Sequence, residues 1–241
     1  MLGPLHDIEK LKRQHLEEQP LDPKVALLRS WQSQRLTRTY PDLLASPRYR
    51  PACEFFLDEI YAPRDFSQRD HDIEQMYEFV RRFVPDAMLR PLAVTVEVHR
   101  MTEHLDRQLI DALVNRLGVT DAITAEQYAE AYRLCDNYDE RVHQIELIHD
   151  IGSRLDGLVR SPLTGATLAV ARGPAHAAGY VELTRFLERG YKAFKHMRGA
   201  KYFLGTVRKR ERTILDRIYA SDPDPFGFTQ SQTQADDSDR D

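Results

Sequence analysis

Apolar residues recur three and four positions apart along most of this chain, and this spacing constrains the fold more than any other feature. One clean example is the stripe Ile73, Met76, Tyr77, Val80 and Phe83. Such intervals place side chains on one face of an α-helix, whereas a half-buried strand requires alternation with a period of two. The nearest approach to alternation, AVTVEV at 93–98, belongs to a continuous helical stripe. We therefore expect an all-α fold, a single-domain bundle of about eight helices, several of them long.

Three positions carry the signature of a helix start. Asp22 stands directly before a proline, which is typical of an N-cap followed by the first helical residue. Thr124 and Ser67 are each followed three residues later by a side chain that can close a capping box. From Thr124 the helical spacing continues to about Val159, which predicts one helix of more than 30 residues.

The last 21 residues differ in composition from the rest of the chain. Residues 221–241 contain six Asp and one Arg and carry a charge of −5, so the other 220 residues sum to about +1. Such polar sequence, interrupted by proline, buries too little apolar surface to offset the entropy of ordering it. We expect a helical domain over residues 1–220 and a largely disordered acidic tail over 221–241, with disorder after about Phe228.

The chain lacks the features of an exported or membrane-spanning protein. Its first residues, MLGPLHDIEKLKRQHLEEQ, are charged and have no apolar core of the kind that a signal peptide needs. No apolar run approaches the roughly 18 residues of a membrane span. The two cysteines, Cys53 and Cys135, are too few for a disulfide framework or a Cys-based zinc site. We expect a soluble, cytoplasmic protein with no membrane partner.

The stretch VTVEVHRMTEHLDRQL at 94–109 holds the densest group of acid/base side chains in the sequence. At about 100° per residue, Glu97 and His104 fall in a polar sector and are expected to face water. By contrast, His99, Glu103 and Asp106 fall on one edge of a broad apolar sector. These three side chains are therefore predicted to face neighbouring helices.

Two interpretations of this inward-facing group stay open. One is an acid/base or metal site completed by a carboxylate from another helix, either Glu59 or Glu211. No cofactor is predicted, and a divalent metal held by His99, Glu103 and Glu59 is the alternative. The other interpretation is a set of inter-helix ion pairs, because a buried carboxylate needs a partner.

Glu211 occupies the centre of the apolar stripe of the last predicted helix, with Val207 and Ile214 on either side. A charge at that position requires a partner from another helix. Arginine is the expected partner, since its planar fork can satisfy both carboxylate oxygens. Chemistry at Glu211 is the alternative interpretation.

Positive charge is concentrated near the C-terminal end of the helical region. Residues 189–217 contain ten Lys or Arg against two acids, a local charge of +8. The residues expected to form a basic surface are Lys192, Lys195, Arg198, Lys201, Arg208 and Arg212. This surface suits a phosphate-bearing ligand, nucleic acid or an acidic protein; the protein's own acidic tail and plain solvation are the alternatives.

Three strings, ACEFFLDEIYAPRDFSQRD, RGPAHAAG and FLERGYKAFKHMRGAKYFL, resemble those of a family of uncharacterised bacterial all-helical proteins. The resemblance spans roughly residues 27–226 and implies a bacterial, cytoplasmic, single-domain protein, with no activity attached to it. The sequence contains no Walker loop and no GxGxxG, GxSxG, HExxH or CxxC motif. We therefore expect a non-enzymatic helical binding or regulatory protein; the alternative is a metal-dependent or acid/base helical enzyme that uses a buried His/carboxylate cluster.

Overall fold

A computed structural model describes residues 21–66, 69–73 and 86–228, and every regular element within these ranges is helical. In chain order the helices are α1 (Pro23–Thr39), α2 (Pro41–Ala45), α3 (Arg50–Glu59), α4 (Asp86–Asp111), α5 (Ala125–Cys135), α6 (Tyr138–Val159), α7 (Pro162–Ala177), α8 (Val181–Met197) and α9 (Lys201–Tyr219). Residues 69–73 are helical as well, and α4 continues into a π-helical turn at Ala112–Arg116. The all-α prediction is confirmed.

The helix starts follow the predicted capping chemistry where the structure describes them. The Asp22 carboxylate accepts a hydrogen bond of 2.8 Å from the amide of Lys24 at the start of α1. At the start of α5, Thr124 and Gln127 exchange both hydrogen bonds of a capping box. The predicted cap at Ser67 lies outside the described residues.

The single long helix predicted from Thr124 to about Val159 is wrong, because the chain turns at Asp136 and starts α6 at Tyr138. Asp136 adopts a left-handed conformation with φ of 49°. The turn is fixed by Asn137, whose amide donates to the Tyr219 hydroxyl at 3.1 Å and whose side chain donates to Gln108 at 2.6 Å. Contacts with α4 and α9 therefore break the helix at a position that the local residue spacing does not predict.

The centre of the fold is formed by α4, α6 and α9. Side-chain contacts pair Thr102 with Gln144, and the carbonyl of Leu105 with Arg141, so α4 and α6 run antiparallel. Helix α9 packs against α6, and a Cβ built on Gly152 would lie 2.5 Å from Leu204 of α9. The absence of a side chain at position 152 thus sets the close approach of these two helices.

Two apolar clusters hold the outer helices to this centre. The first joins α3, α8 and α9 through side chains that include Phe55, Phe194, Met197 and Phe203. The second joins α1, α4, α5 and α9 through side chains that include Leu28, Leu109, Tyr128 and Ile214. Among the described residues, no helix is long and apolar enough to cross a membrane.

The helical domain extends beyond the predicted boundary at residue 220. Phe226 is buried, with its ring centroid 5.5 Å from that of Trp31 and 6.1 Å from that of Tyr128. The start of the acidic segment therefore belongs to the domain, because it carries apolar residues that the core accommodates. The predicted disorder falls on residues 229–241, which lie outside the described part of the chain.

Candidate functional site

The acid/base stretch of α4 is divided between solvent and core. Glu97 and His104 are exposed, as their polar sector indicates. His99 lies 3.8 Å from Glu103, but the Glu103 side chain is 60% exposed and His99 is only half-buried. Of the three side chains predicted to face neighbouring helices, Glu103 instead lies at the margin of the apolar sector, where its side chain reaches water. Asp106 is the member of the group that turns inward.

Asp106 lies against α1, where Gln32 donates to its carboxylate at 3.4 Å. Burial raises the pKa of Asp106, and the nearby guanidinium groups of Arg141 and Arg29 offset only part of that shift. A carboxyl whose pKa is raised by burial holds its proton at a higher pH than an exposed one. Asp106 is therefore the acid/base candidate that the structure leaves in a suitable environment.

Arg141 of α6 is buried beside Asp106 without a direct ion pair. Its guanidinium donates to the carbonyl of Leu105 at 3.0 Å and to Gln144 at 3.3 Å, and lies 4.6 Å from the Tyr132 ring centroid. None of its hydrogen bonds within the described ranges goes to a carboxylate. The electrostatic attraction between Arg141 and Asp106 therefore acts without a hydrogen bond between their side chains.

Glu211 has the partner that its position in the stripe predicts. Its Oε1 accepts 2.6 Å hydrogen bonds from Arg35 of α1 and from the Tyr40 hydroxyl. Burial opposes the charge on Arg35, but the neighbouring carboxylate outweighs it and raises the pKa of the guanidinium. The Glu211 side chain is 21% exposed, so it lies at the edge of the core rather than at its centre. The arginine pairing is confirmed, and it is structural in character.

Glu59 does not join His99 or Glu103. Its two carboxylate oxygens accept from different guanidinium groups, Oε2 from Arg64 at 2.9 Å and Oε1 from Arg189. Across the described part of the chain, no group of three or more His, Cys, Asp or Glu side chains is arranged to hold a metal ion. Among the described side chains, Glu59 thus does not complete a site with His99 and Glu103, because both of its carboxylate oxygens accept from arginines.

The positive charge gathers at the turn between α8 and α9. Helix α8 ends with Arg198 in a left-handed conformation, φ 51°, followed by Gly199 at φ 119°. From the α2–α3 connection, Arg48 reaches this turn and donates to the carbonyls of Met197 at 2.7 Å and Gly199 at 3.3 Å. Arg48 thereby satisfies the carbonyls that a helix end leaves unpaired. This bond brings the charge of Arg48 to the side of Arg198.

We define the basic turn surface by five exposed cations, which are Arg48, Arg50, Lys195, Arg198 and Lys201. Arg50 donates to the carbonyls of Leu44 and Ala45, and Lys195 contacts the hydroxyl of Tyr191. Within the part of the chain that the structure describes, none of the five forms an ion pair with a carboxylate. No ion pair within those ranges therefore neutralises these five charges.

The basic surface predicted from the sequence is broader than the one observed. Arg208 lies 3.4 Å from Glu146 of α6, and Arg212 lies 3.0 Å from Asp216. Glu188 lies close enough to Lys192 that the lysine, after Arg172, helps to lower the pKa of this carboxyl. These three predicted members lie near acids that partly neutralise them. Lys195, Arg198 and Lys201 have no ion-pair partner among the described residues, so they stay in the basic turn surface. Arg48 and Arg50, distant in sequence, were not predicted, because only the fold brings them to the turn.

An aromatic side chain stands among these cations. Tyr202, in the first turn of α9, is 60% exposed, and its ring is stacked on that of Tyr49 with centroids 5.6 Å apart. The sequence does carry a signal for it, because Tyr202 falls outside the apolar stripe that contains Phe203 and Leu204.

A protein-family model matches residues 11–225, most of the chain, and the family is described as a domain of unknown function (DUF8198). No curated protein and no solved structure matches the chain. The expectation of an uncharacterised family is confirmed.

Proposed function

We propose that this chain, which belongs to the domain-of-unknown-function family DUF8198, is a non-enzymatic binding protein that holds a phosphate-bearing ligand on the basic turn surface. One observation carries the proposal: Arg48 bonds to the α8–α9 turn beside Arg198 and Lys201, and none of the five exposed cations of the basic turn surface has a carboxylate partner in the described part of the chain. Arg208 and Arg212, elsewhere on α9, do have such partners.

The remaining donors suit phosphate. Arg48 and Arg50 use some of their N–H groups on carbonyls, which are neutral, so both guanidinium groups keep their full charge. Guanidinium and ammonium groups bind phosphate oxygens through charge-assisted hydrogen bonds. The N-terminus of α9 lies at the same turn, where the Ala200 amide donates to the Asp156 carboxylate at 3.0 Å. That carboxylate already occupies the positive end of the α9 dipole, so phosphate binding depends on the cations of the basic turn surface rather than on the helix end.

Two further features support the cytoplasmic setting that we propose for this activity. Cys53 and Cys135 are both free thiols, which suits a reducing compartment. Cys53 is buried, and burial raises its pKa to about 11, so it is not a reactive thiolate. Neither cysteine therefore indicates a redox or nucleophilic role that would compete with binding.

Titration with inorganic polyphosphate, followed by calorimetry, tests the proposal with two matched variants. Lys201→Gln and Arg208→Gln each remove one positive charge from α9, but only Lys201 belongs to the basic turn surface. We expect Lys201→Gln to weaken binding and to reduce the dependence of log Kd on log salt by about one unit, with little change for Arg208→Gln. The proposal would be refuted if both variants lost the same amount of polyphosphate affinity, or if the wild type did not bind polyphosphate at low salt.

An acidic protein is the other partner class that the sequence suggests, and the same assay separates it. Polyglutamate of matched charge should bind more weakly than polyphosphate, because its carboxylates are spaced further apart along the chain and fewer of them face the basic turn surface at once. Tighter binding of polyglutamate would replace the phosphate-bearing ligand with an acidic polypeptide.

An acid/base helical enzyme remains the second candidate, and the raised pKa of Asp106 is the observation that favours it. Elemental analysis of the purified protein tests its metal-dependent form. Iron, manganese or zinc at near-stoichiometric content would favour that enzyme over the binding protein.

A further inference from the structure

Tyr202 presents an open aromatic face at the basic turn surface. Tyr49 stacks against the ring, with an interplanar angle of 28°, yet the residue remains 60% exposed. A tyrosine with one face covered can keep that much accessible surface only if much of the remaining ring is open to solvent. The aromatic body of Tyr202 is thus available for contact with a planar group.

This aromatic face is held in place by the core. Tyr49 lies between Tyr202 and the buried Phe203, with its ring centroid 6.2 Å from that of Phe203. The Arg48 guanidinium lies 5.3 Å from the Tyr49 ring centroid and also donates to the end of α8. Since the supporting rings already fix its position, little side-chain entropy remains to be lost when a ligand stacks on Tyr202.

Cations lie next to Tyr202 in the chain and at the preceding turn. Lys201 precedes Tyr202 in the first turn of α9, and Arg198 and Arg48 meet at the preceding turn. Positive groups beside a stacking ring form the combination that binds single strands: the cations follow the phosphates, and each base offers a planar face to the ring. A duplex satisfies only half of this arrangement, because its base faces are already stacked within the helix.

We infer that the ligand of the basic turn surface is single-stranded nucleic acid, with one base stacked on Tyr202 and the adjoining phosphates bound by Lys201, Arg198 and Arg48. This inference rests on the proposed function and adds the ligand class. Stacking does not depend on base identity, so binding is weakly sequence-selective.

Fluorescence anisotropy with labelled oligo(dT) and oligo(U) of about 12 nucleotides, a length within single-strand site sizes, tests this inference. Duplex DNA and inorganic polyphosphate serve as comparison ligands. Tyr202→Ala should weaken oligonucleotide binding by about 5- to 150-fold, the range for loss of one stacked base. Polyphosphate affinity should be unchanged, because polyphosphate has no base. Tyr202→Phe, which keeps the ring, should bind oligonucleotides like the wild type.

The two proposals fail in different ways. If polyphosphate binds but oligonucleotides bind no better than duplex and ignore Tyr202→Ala, the nucleic-acid inference is overturned and the proposed function stands. If neither ligand binds, both are overturned. The melting temperature of Tyr202→Ala should be unchanged, because the side chain is so exposed. A loss of affinity in this variant then reports the loss of stacking rather than unfolding.

Discussion

Arg35 and Glu211 are 176 residues apart in the chain, and their side chains meet at 2.6 Å. Tyr40 donates to the same carboxylate oxygen, also at 2.6 Å. This contact joins α1 to α9 and places a charged pair at the edge of the apolar core. Removing one partner leaves the other charge without compensation.

Glu211→Gln should therefore lower the free energy of unfolding by about 2 kcal/mol, less than for a fully buried pair because Glu211 is partly exposed. Lys209→Gln, on the exposed side of the same helix, is the control and should change stability by less than about 0.5 kcal/mol. Urea denaturation measures both. Equally small effects would show that the Arg35–Glu211 contact contributes little to stability.

Asp106 should make stability depend on pH. Because its pKa is raised in the folded protein, the folded state holds the proton more tightly than the unfolded state does. Its contribution is therefore greatest below the unfolded pKa and is lost as pH rises through the folded pKa. Relative to wild type, Asp106→Asn should gain stability as pH rises across that window. The measurement is denaturant unfolding at a series of pH values.

Glu103→Gln serves as the control for this prediction, since Glu103 lies one turn away on α4 and is exposed. Its difference from wild type should show no comparable trend. The same pH trend in both variants would point to a general charge effect rather than to Asp106.

Gly152→Ala should destabilise the contact between α6 and α9. The new Cβ would lie 2.5 Å from the Cδ2 of Leu204, which is buried and has little room to move. We expect a loss of about 1–3 kcal/mol. Gly157→Ala, on the same helix and with no atom within 4 Å of the new Cβ, should instead gain about 0.5–1 kcal/mol. Thermal unfolding compares the two, and a neutral Gly152→Ala would mean that the helices separate easily.

The start and the end of the acidic segment should contribute differently to stability. Phe226→Ala should cost about 3 kcal/mol, because the ring is buried against Trp31 and Tyr128. Deletion of residues 229–241, which are polar and acidic, should leave the melting temperature nearly unchanged. A drop of more than about 5 °C on that deletion would show that the end of the chain contributes to the fold.

Much of the architecture follows from local sequence. The helical class, the caps at Asp22 and Thr124, and the need of Glu211 for an arginine all depend on residue spacing and short-range chemistry. Which arginine serves Glu211 could not be predicted, because every helix offers candidates and only the packing selects Arg35. For the same reason, only three of the five members of the basic turn surface were predicted. Arg48 and Arg50 come from a connection that is distant in sequence, and only the packing brings that connection to the turn.

The errors have physical causes of the same kind. A helical wheel assigns a residue to a face, but it does not say how far a neighbouring helix covers that face, so Glu103 was placed too deep. The end of α5 has no glycine or proline to mark it. The side chains that fix the turn at Asn137 lie on α4 and α9, beyond the reach of any local pattern.

The corner between α5 and α6 has a consequence for the order of folding. Its hydrogen bond from Asn137 to Tyr219 spans 82 residues, and the Tyr219 hydroxyl donates in turn to the carbonyl of Tyr132 at 3.0 Å. Until α9 has docked, residues 125–159 lack the Tyr219 hydrogen bonds that help to fix the bend, and their own spacing favours one straight rod. The nascent chain should therefore pass through a species with an over-long helix, and the bend should form together with the arrival of the last helix. Substitution of Tyr219 by Phe would then speed unfolding more than it slows the early steps.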